Sequence, residues 1–125
     1  DFKAAVTDRA HSAYTGLIRI DEGAPVSEAY QENRNLLLSE RARVDTIPEL
    51  EILTDDVSCS HGATATPLDR EQIFYLQSRG LTATEAVRVI VRGFIEPTFR
   101  LIPTGLREEL EELVEARIAR LQPEV

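Results

Sequence analysis

Arg9-Ala10-His11-Ser12-Ala13-Tyr14-Thr15-Gly16-Leu17-Ile18-Arg19-Ile20 lies over Arg41-Ala42-Arg43-Val44-Asp45-Thr46-Ile47-Pro48-Glu49-Leu50-Glu51-Ile52 at an offset of 32 residues. The apolar alternation coincides at Ile18/Leu50 and Ile20/Ile52, and the block from Gly23-Ala24-Pro25-Val26 to Leu38 falls between the two copies. Alternation with period two marks a strand. A repeated unit that cannot bury its own apolar face must stack on its neighbours. Residues 1–68 as a whole carry Val, Ile, Leu and Thr in short runs broken by Gly, Pro, Asp and Ser, with no convincing helical period. Stacked strands of a β-solenoid are expected, with an antiparallel sandwich as the alternative.

Pro67-Leu68-Asp69 marks a change of regime. Asp69 and Gln72 read as a helix N-cap with its reciprocal partner, Ile73, Phe74 and Leu76 supply an apolar side, and Gly80 is placed to stop the helix. Thr82 and Glu85 form a capping box, with Leu81 and Ala86 at staple positions and Val87, Ile90, Val91 and Phe94 at helical spacing. Pro97 and Pro103 are expected to bend or end this second helix, since neither donates to the backbone ladder. A third helix starts near Thr104 or Gly105, with Leu106, Leu110, Leu113, Val114, Ile118 and Leu121 on one stripe. Its first half is acidic and its end carries Arg117 and Arg120, which suits the helix dipole. The expected organisation is strands over 1–68 and a helical domain over 69–125.

The chain has 125 residues, 42% of them hydrophobic, which is enough for one core. Its net charge of -8 disfavours nucleic acid, anionic membranes and acidic partners. The excess is concentrated in residues 1–68, with twelve acidic and six basic residues against ten and eight in the remainder. One cysteine cannot form an internal disulfide, and no run approaches the roughly 18 apolar residues of a membrane span. A cytoplasmic location is expected. The chain opens at Asp1 without a methionine or a signal-like segment, as a piece of a longer protein would.

The concentrated chemistry is Cys59-Ser60-His61. On a strand Cys59 and His61 share a face. As metal ligands they are two of the roughly four a closed zinc site needs, so an ion would be shared with another subunit or completed by Asp55, Asp56 or His11. As a thiol and its base they lack a legible third group or oxyanion donor. The alternative for both is structural: a small buried thiol and a strand-edge imidazole bonded to backbone. Phosphate-binding glycine motifs are absent, and Lys3 is the only lysine. Arg88 and Arg92, one helical turn apart, could grip an acidic partner or simply face solvent. These features favour an interaction module over an enzyme.

Four linked motifs carry a resemblance. Ala29-Tyr30-Gln31-Glu32-Asn33-Arg34-Asn35-Leu36-Leu37-Leu38-Ser39, the run Ala42-x-Val44-Asp45-Thr46-x-Pro48-x-Leu50-Glu51-Ile52, Asp55-Asp56-Val57-x-Cys59-Ser60-His61-Gly62-Ala63-Thr64 and Gln72-Ile73-Phe74-Tyr75-Leu76-x-Ser78-Arg79-Gly80 resemble, in order, the C-terminal part of the SufB/SufD family of iron–sulfur cluster assembly scaffolds. The likeness runs from about Arg9 to Phe94. It implies a mainly β fold with a C-terminal α part, namely a right-handed parallel β-helix followed by a small helical domain. It also implies a non-catalytic subunit that pairs with a SufB-like paralogue and docks a SufC-type ABC ATPase through its helices, with a homodimer as the form of the isolated subunit. No cofactor is expected to be held firmly; an iron–sulfur cluster would be present transiently in the full complex. The histidine matching His61 is associated with the inter-subunit assembly site, so His61 becomes a candidate iron ligand shared with the partner, and Cys59 a weaker one. Cys59-Ser60-His61-Gly62-Ala63 is similar to the SufD pattern, and Asn33 stands near the place of the SufB-like cluster cysteine. Gly93-Phe94-Ile95-Glu96-Pro97 is more like SufB-type members, so the alternatives to a SufD-like scaffold are a SufB-like paralogue and a metal-dependent or thiol enzyme using Cys59 and His61.

Overall fold

A computed structural model describes residues 1–123. Five strands precede three helices: β1 (Phe2–Val6), β2 (His11–Ile20), β3 (Ser27–Leu37), β4 (Arg43–Ile52), β5 (Val57–Pro67), α1 (Arg70–Ser78), α2 (Ala83–Phe99) and α3 (Thr104–Ile118). Burial alternates along β2, with Tyr14, Ile18 and Ile20 turned inward and Thr15, Leu17 and Arg19 outward. That is the period of two expected of an extended chain covered on one face.

β1, β3 and β5 form a parallel sheet in that order, and β2 and β4 form a second parallel pair. Consecutive strands alternate between the sheets, so the crossover between parallel neighbours of one sheet is a strand of the other. Ile18 stands opposite Leu50 and Ile20 opposite Ile52, so the 32-residue repeat of the sequence is the pairing register of β2 with β4.

The expected right-handed parallel β-helix does not form. The strands make two small parallel sheets, three-stranded and two-stranded, and no further strand set closes a coil among the described residues. The reason is one of length. Long strands and the brief turns at 7–10, 21–26, 38–42 and 53–56 consume each repeat, leaving no residues for another strand per turn.

The main apolar core lies where strand ends meet helices. Leu36 and Leu38 pack with Ile73, Ala86, Val87, Val91 and Ile118, so sheet and helices share one hydrophobic cluster. Asp69 caps α1 by accepting from the Glu71 backbone N–H at 2.8 Å, and Gly80, at φ +96°, follows the helix end. The Thr82/Glu85 capping box is present in full, and the bonds from Thr82 hold the Glu85 carboxyl below its ordinary pKa. Pro97 does not end α2, which runs on to Phe99; Pro103 instead takes the N-cap position of α3. A proline that close to the terminus removes only one ladder bond, and the chain leaves the helix within a turn. The leucine stripe of α3 divides: Ile118 is buried and Val114 and Leu121 pack on the core, while Leu106, Leu110 and Leu113 are exposed. Glu124 and Val125, the end of the expected 69–125 domain, lie outside the described residues.

Gly16 is required by a close approach between sheets. A Cβ there would come within 1.6 Å of Gln31 Nε2 and 2.5 Å of the Tyr14 hydroxyl. Gly16→Ala is expected to dislodge the buried Gln31 amide and to destabilise by about 1–3 kcal/mol, the usual cost of overpacking. Urea unfolding checks it, and an unchanged midpoint would show that Gln31 moves aside freely.

Candidate functional site

β5 is an edge strand, paired with β3 on one side only among the described residues. The register sets Cys59 beside Ala29, His61 beside Gln31, Ala63 beside Asn33 and Ala65 beside Asn35. Gln31, Asn33 and Asn35 are buried between the sheets. Register partners in a parallel pair share a face, so Cys59, His61, Ala63 and Ala65 lie on that same inner face. On β3 the face is covered; on β5 it is open from His61 to Pro67. Leu50 and Ile52 of β4, partners of inward-facing Ile18 and Ile20, are exposed in the same way. One end of the two-sheet stack is therefore an uncovered surface with free backbone edges, the kind of surface that pairs with another chain.

His61 is exposed on this surface and Cys59 half-buried. A cleft of about 430 Å³ lies on the outer face of this sheet, lined by Tyr30 and Glu32 of β3, Ser60 and Gly62 of β5, Asp1, and the intervening Gln31 and His61. Its acceptors are mostly engaged: Glu32 takes the Arg34 Nε–H at 2.7 Å, and Asp1 lies 4.0 Å from the Lys3 ammonium. Beneath it the inter-sheet space is polar. Gln31 Nε2 donates to the Tyr14 hydroxyl at 2.6 Å, and Asn35 Nδ2 donates to Asn33 Oδ1 at 2.8 Å and to the Thr64 carbonyl at 3.1 Å. Gln31 Oε1 and Asn35 Oδ1 are buried without a partner.

The structure brings Cys59 and His61 onto one face but leaves the other sequence candidates elsewhere. His11 lies on β2 of the second sheet, with Nε2 2.7 Å from Asp45 Oδ2. Asp55 and Asp56 sit in the exposed turn before β5, where the Asp56 carbonyl accepts from the Val26 N–H. Among the described residues no group of three or more His, Cys, Asp or Glu is gathered to hold a metal ion. Arg88 and Arg92 are turned to intramolecular work. Arg88 Nη2 donates to the Leu121 carbonyl at 3.0 Å, and Arg92 makes a two-pronged pair with Glu115, which raises the Arg92 pKa further. They clasp α2 to the end of α3. Lys3 is likewise internal: its ammonium donates to the Phe94 carbonyl at 2.9 Å, and burial lowers its pKa.

Sequence reasoning missed Gln31 and Tyr14. The signal was there, since Gln31, Asn33 and Asn35 place amides at every second position of a strand; three polar residues on one face read as solvated until a second sheet covers them.

A family model, the SufBD core domain of SUF system FeS cluster assembly, matches residues 1–94. The chain is 41% identical over 122 residues to the iron–sulfur cluster assembly protein SufD of Escherichia coli strain K12, covering 97% of this chain and 28% of that protein. Against SufD of Bacillus subtilis strain 168 it is 38% identical over 112 residues, 89% of this chain and 26% of that protein. A SufBD family protein of Synechocystis is 38% identical over 116 residues, 92% of this chain and 26% of that protein. The chain thus spans little more than a quarter of the length of these relatives. No helix among the described residues is long and apolar enough to cross a membrane. The chain belongs to the SufBD family of iron–sulfur cluster assembly proteins and is similar to its SufD members.

Proposed function

We propose that the chain is part of a SufD-type scaffold subunit that pairs with a SufB-like paralogue across the open β4/β5 end and docks a SufC-type ABC ATPase through its helices, in the cytoplasm. The observation that carries this is the exposure of His61 on the uncovered inner face of an edge strand. A neutral imidazole there can ligate iron, and free backbone edges on either side of it favour a second chain over a small substrate. The cluster is cargo, not a resident cofactor. His61 and Cys59 are too few donors to hold it, so the remaining ligands come from the paralogue, and the ATPase supplies the phosphate site for which this chain has no motif. Without the paralogue, the same open end pairs two copies.

The full-length protein, purified with its neighbours and assayed for ATPase activity and iron, is expected to emerge as a complex. ATP turnover should reside in the ATPase subunit, and iron should require both scaffold chains. Hydrolysis of ATP, esters or phosphate esters by the protein alone, lost on Cys59→Ser or His61→Ala, would overturn the scaffold role in favour of an enzyme.

A further inference from the structure

We propose that Gln31 is a positioning residue for His61: its buried side-chain carbonyl accepts a hydrogen bond from one imidazole N–H and leaves the other ring nitrogen to face the open surface with a free lone pair. This rests on the assembly role of His61 proposed above.

Gln31 and His61 are register partners on adjacent strands, both on the inner face. Strands in a sheet run about 4.8 Å apart, so side chains on one face at one register position lie side by side. The amide of Gln31 is fixed from below. Its Nε2 donates to the Tyr14 hydroxyl at 2.6 Å, and the Tyr14 ring packs on Phe2 with centroids 4.8 Å apart. Gly16 leaves the room this amide occupies. With the amino group committed, the carbonyl is the free end of the amide, and it stands buried without a partner in a residue only 8% exposed. A buried acceptor without a mate costs free energy, which a donor on the neighbouring strand relieves.

His61 is that donor. Its ring carries no hydrogen bond among the described residues. In the proposed bond the exposed imidazole turns toward β3. An imidazole that donates one N–H to a carbonyl is held in one tautomer and one ring orientation, and the opposite nitrogen becomes a better ligand. Tyr14 and Gly16 of β2 thereby act on the orientation of a ring two strands away, through the Gln31 amide.

The test is the tautomeric state of the neutral His61 ring, read from side-chain ¹⁵N shifts in the full-length protein labelled at histidine, with the His61 signals assigned by their loss in His61→Asn. One fixed tautomer is expected in the wild type, relaxing to the mixture of a free imidazole in Gln31→Met, and partly so in Tyr14→Phe. A wild-type ring that already shows the free mixture overturns the proposal, whether or not the variants fold. So does a fixed tautomer left unchanged in both variants. Iron retention by the complex with the paralogue is the second arm, expected to fall about 10- to 100-fold in Gln31→Met, the range for lost outer-shell partners. A tautomer shift with unchanged iron would uphold the hydrogen bond and overturn the assembly role of His61 instead.

Discussion

Leu106→Asp combined with Leu113→Asp is expected to abolish capture of the ATPase subunit by the full-length protein while leaving its melting temperature within about 2 °C of wild type. The two leucines are 56% and 57% exposed, and Leu110 between them is also exposed. Positions seven apart on a helix lie on nearly the same side, so the first half of α3 presents an apolar ridge that the core does not use. The second half, through Val114 and Ile118, holds the helix in place. Aspartates on the ridge therefore cost little in folding, since surface changes away from packed groups usually stay within about 0.5 kcal/mol. In an interface each would put a charge where a leucine was buried. Loss of two central contacts at about 2 kcal/mol each lowers affinity on the order of a thousandfold. Capture measured by pull-down or calorimetry at wild-type affinity would remove α3 from the docking surface. Deleting residues 69–125 is a poorer test, because Leu36 and Leu38 share their core with Ile73, Ala86 and Val87 and would be laid bare.

The β2–β4 register was legible in the sequence as a repeat, and the helix starts were legible because their capping signals are local. The Ile18/Leu50 and Ile20/Ile52 coincidences are the β2–β4 register, since parallel strands joined by equal lengths of chain repeat at that length. Thr82 and Glu85 meet in a capping box because the spacing alone brings them together. Closure of a coil was not legible, because it depends on how each repeat divides between strand and turn, and alternation does not reveal where a strand stops. The division of the α3 stripe was hidden for a similar reason: periodicity shows that Leu106 and Ile118 share a side, not which of them has something to pack against. At the candidate site, the shared face of Cys59 and His61 followed from the period of two. The polar support beneath them did not, because Tyr14 and Gly16 reach Gln31 only through the packing of two sheets.

His61→Ala in the full scaffold complex is expected to cut iron retention and cluster yield by about a hundredfold or more, with subunit assembly and melting temperature nearly unchanged. The imidazole is exposed and its removal leaves no cavity, so the change falls among surface substitutions with small folding cost. The effect on iron should be large because loss of a ligand exceeds the roughly 10- to 100-fold cost of losing an outer-shell partner. Cys59→Ser is the internal control: the thiol is half-buried on the same face two residues away, and if it serves packing, the substitution perturbs stability more than iron. Equal loss of iron in both variants would make the pair a joint ligand set. A His61→Ala complex that assembles and builds clusters at the wild-type rate would reduce the histidine to an edge-strand residue, and the open end of the stack to a pairing surface without chemistry of its own.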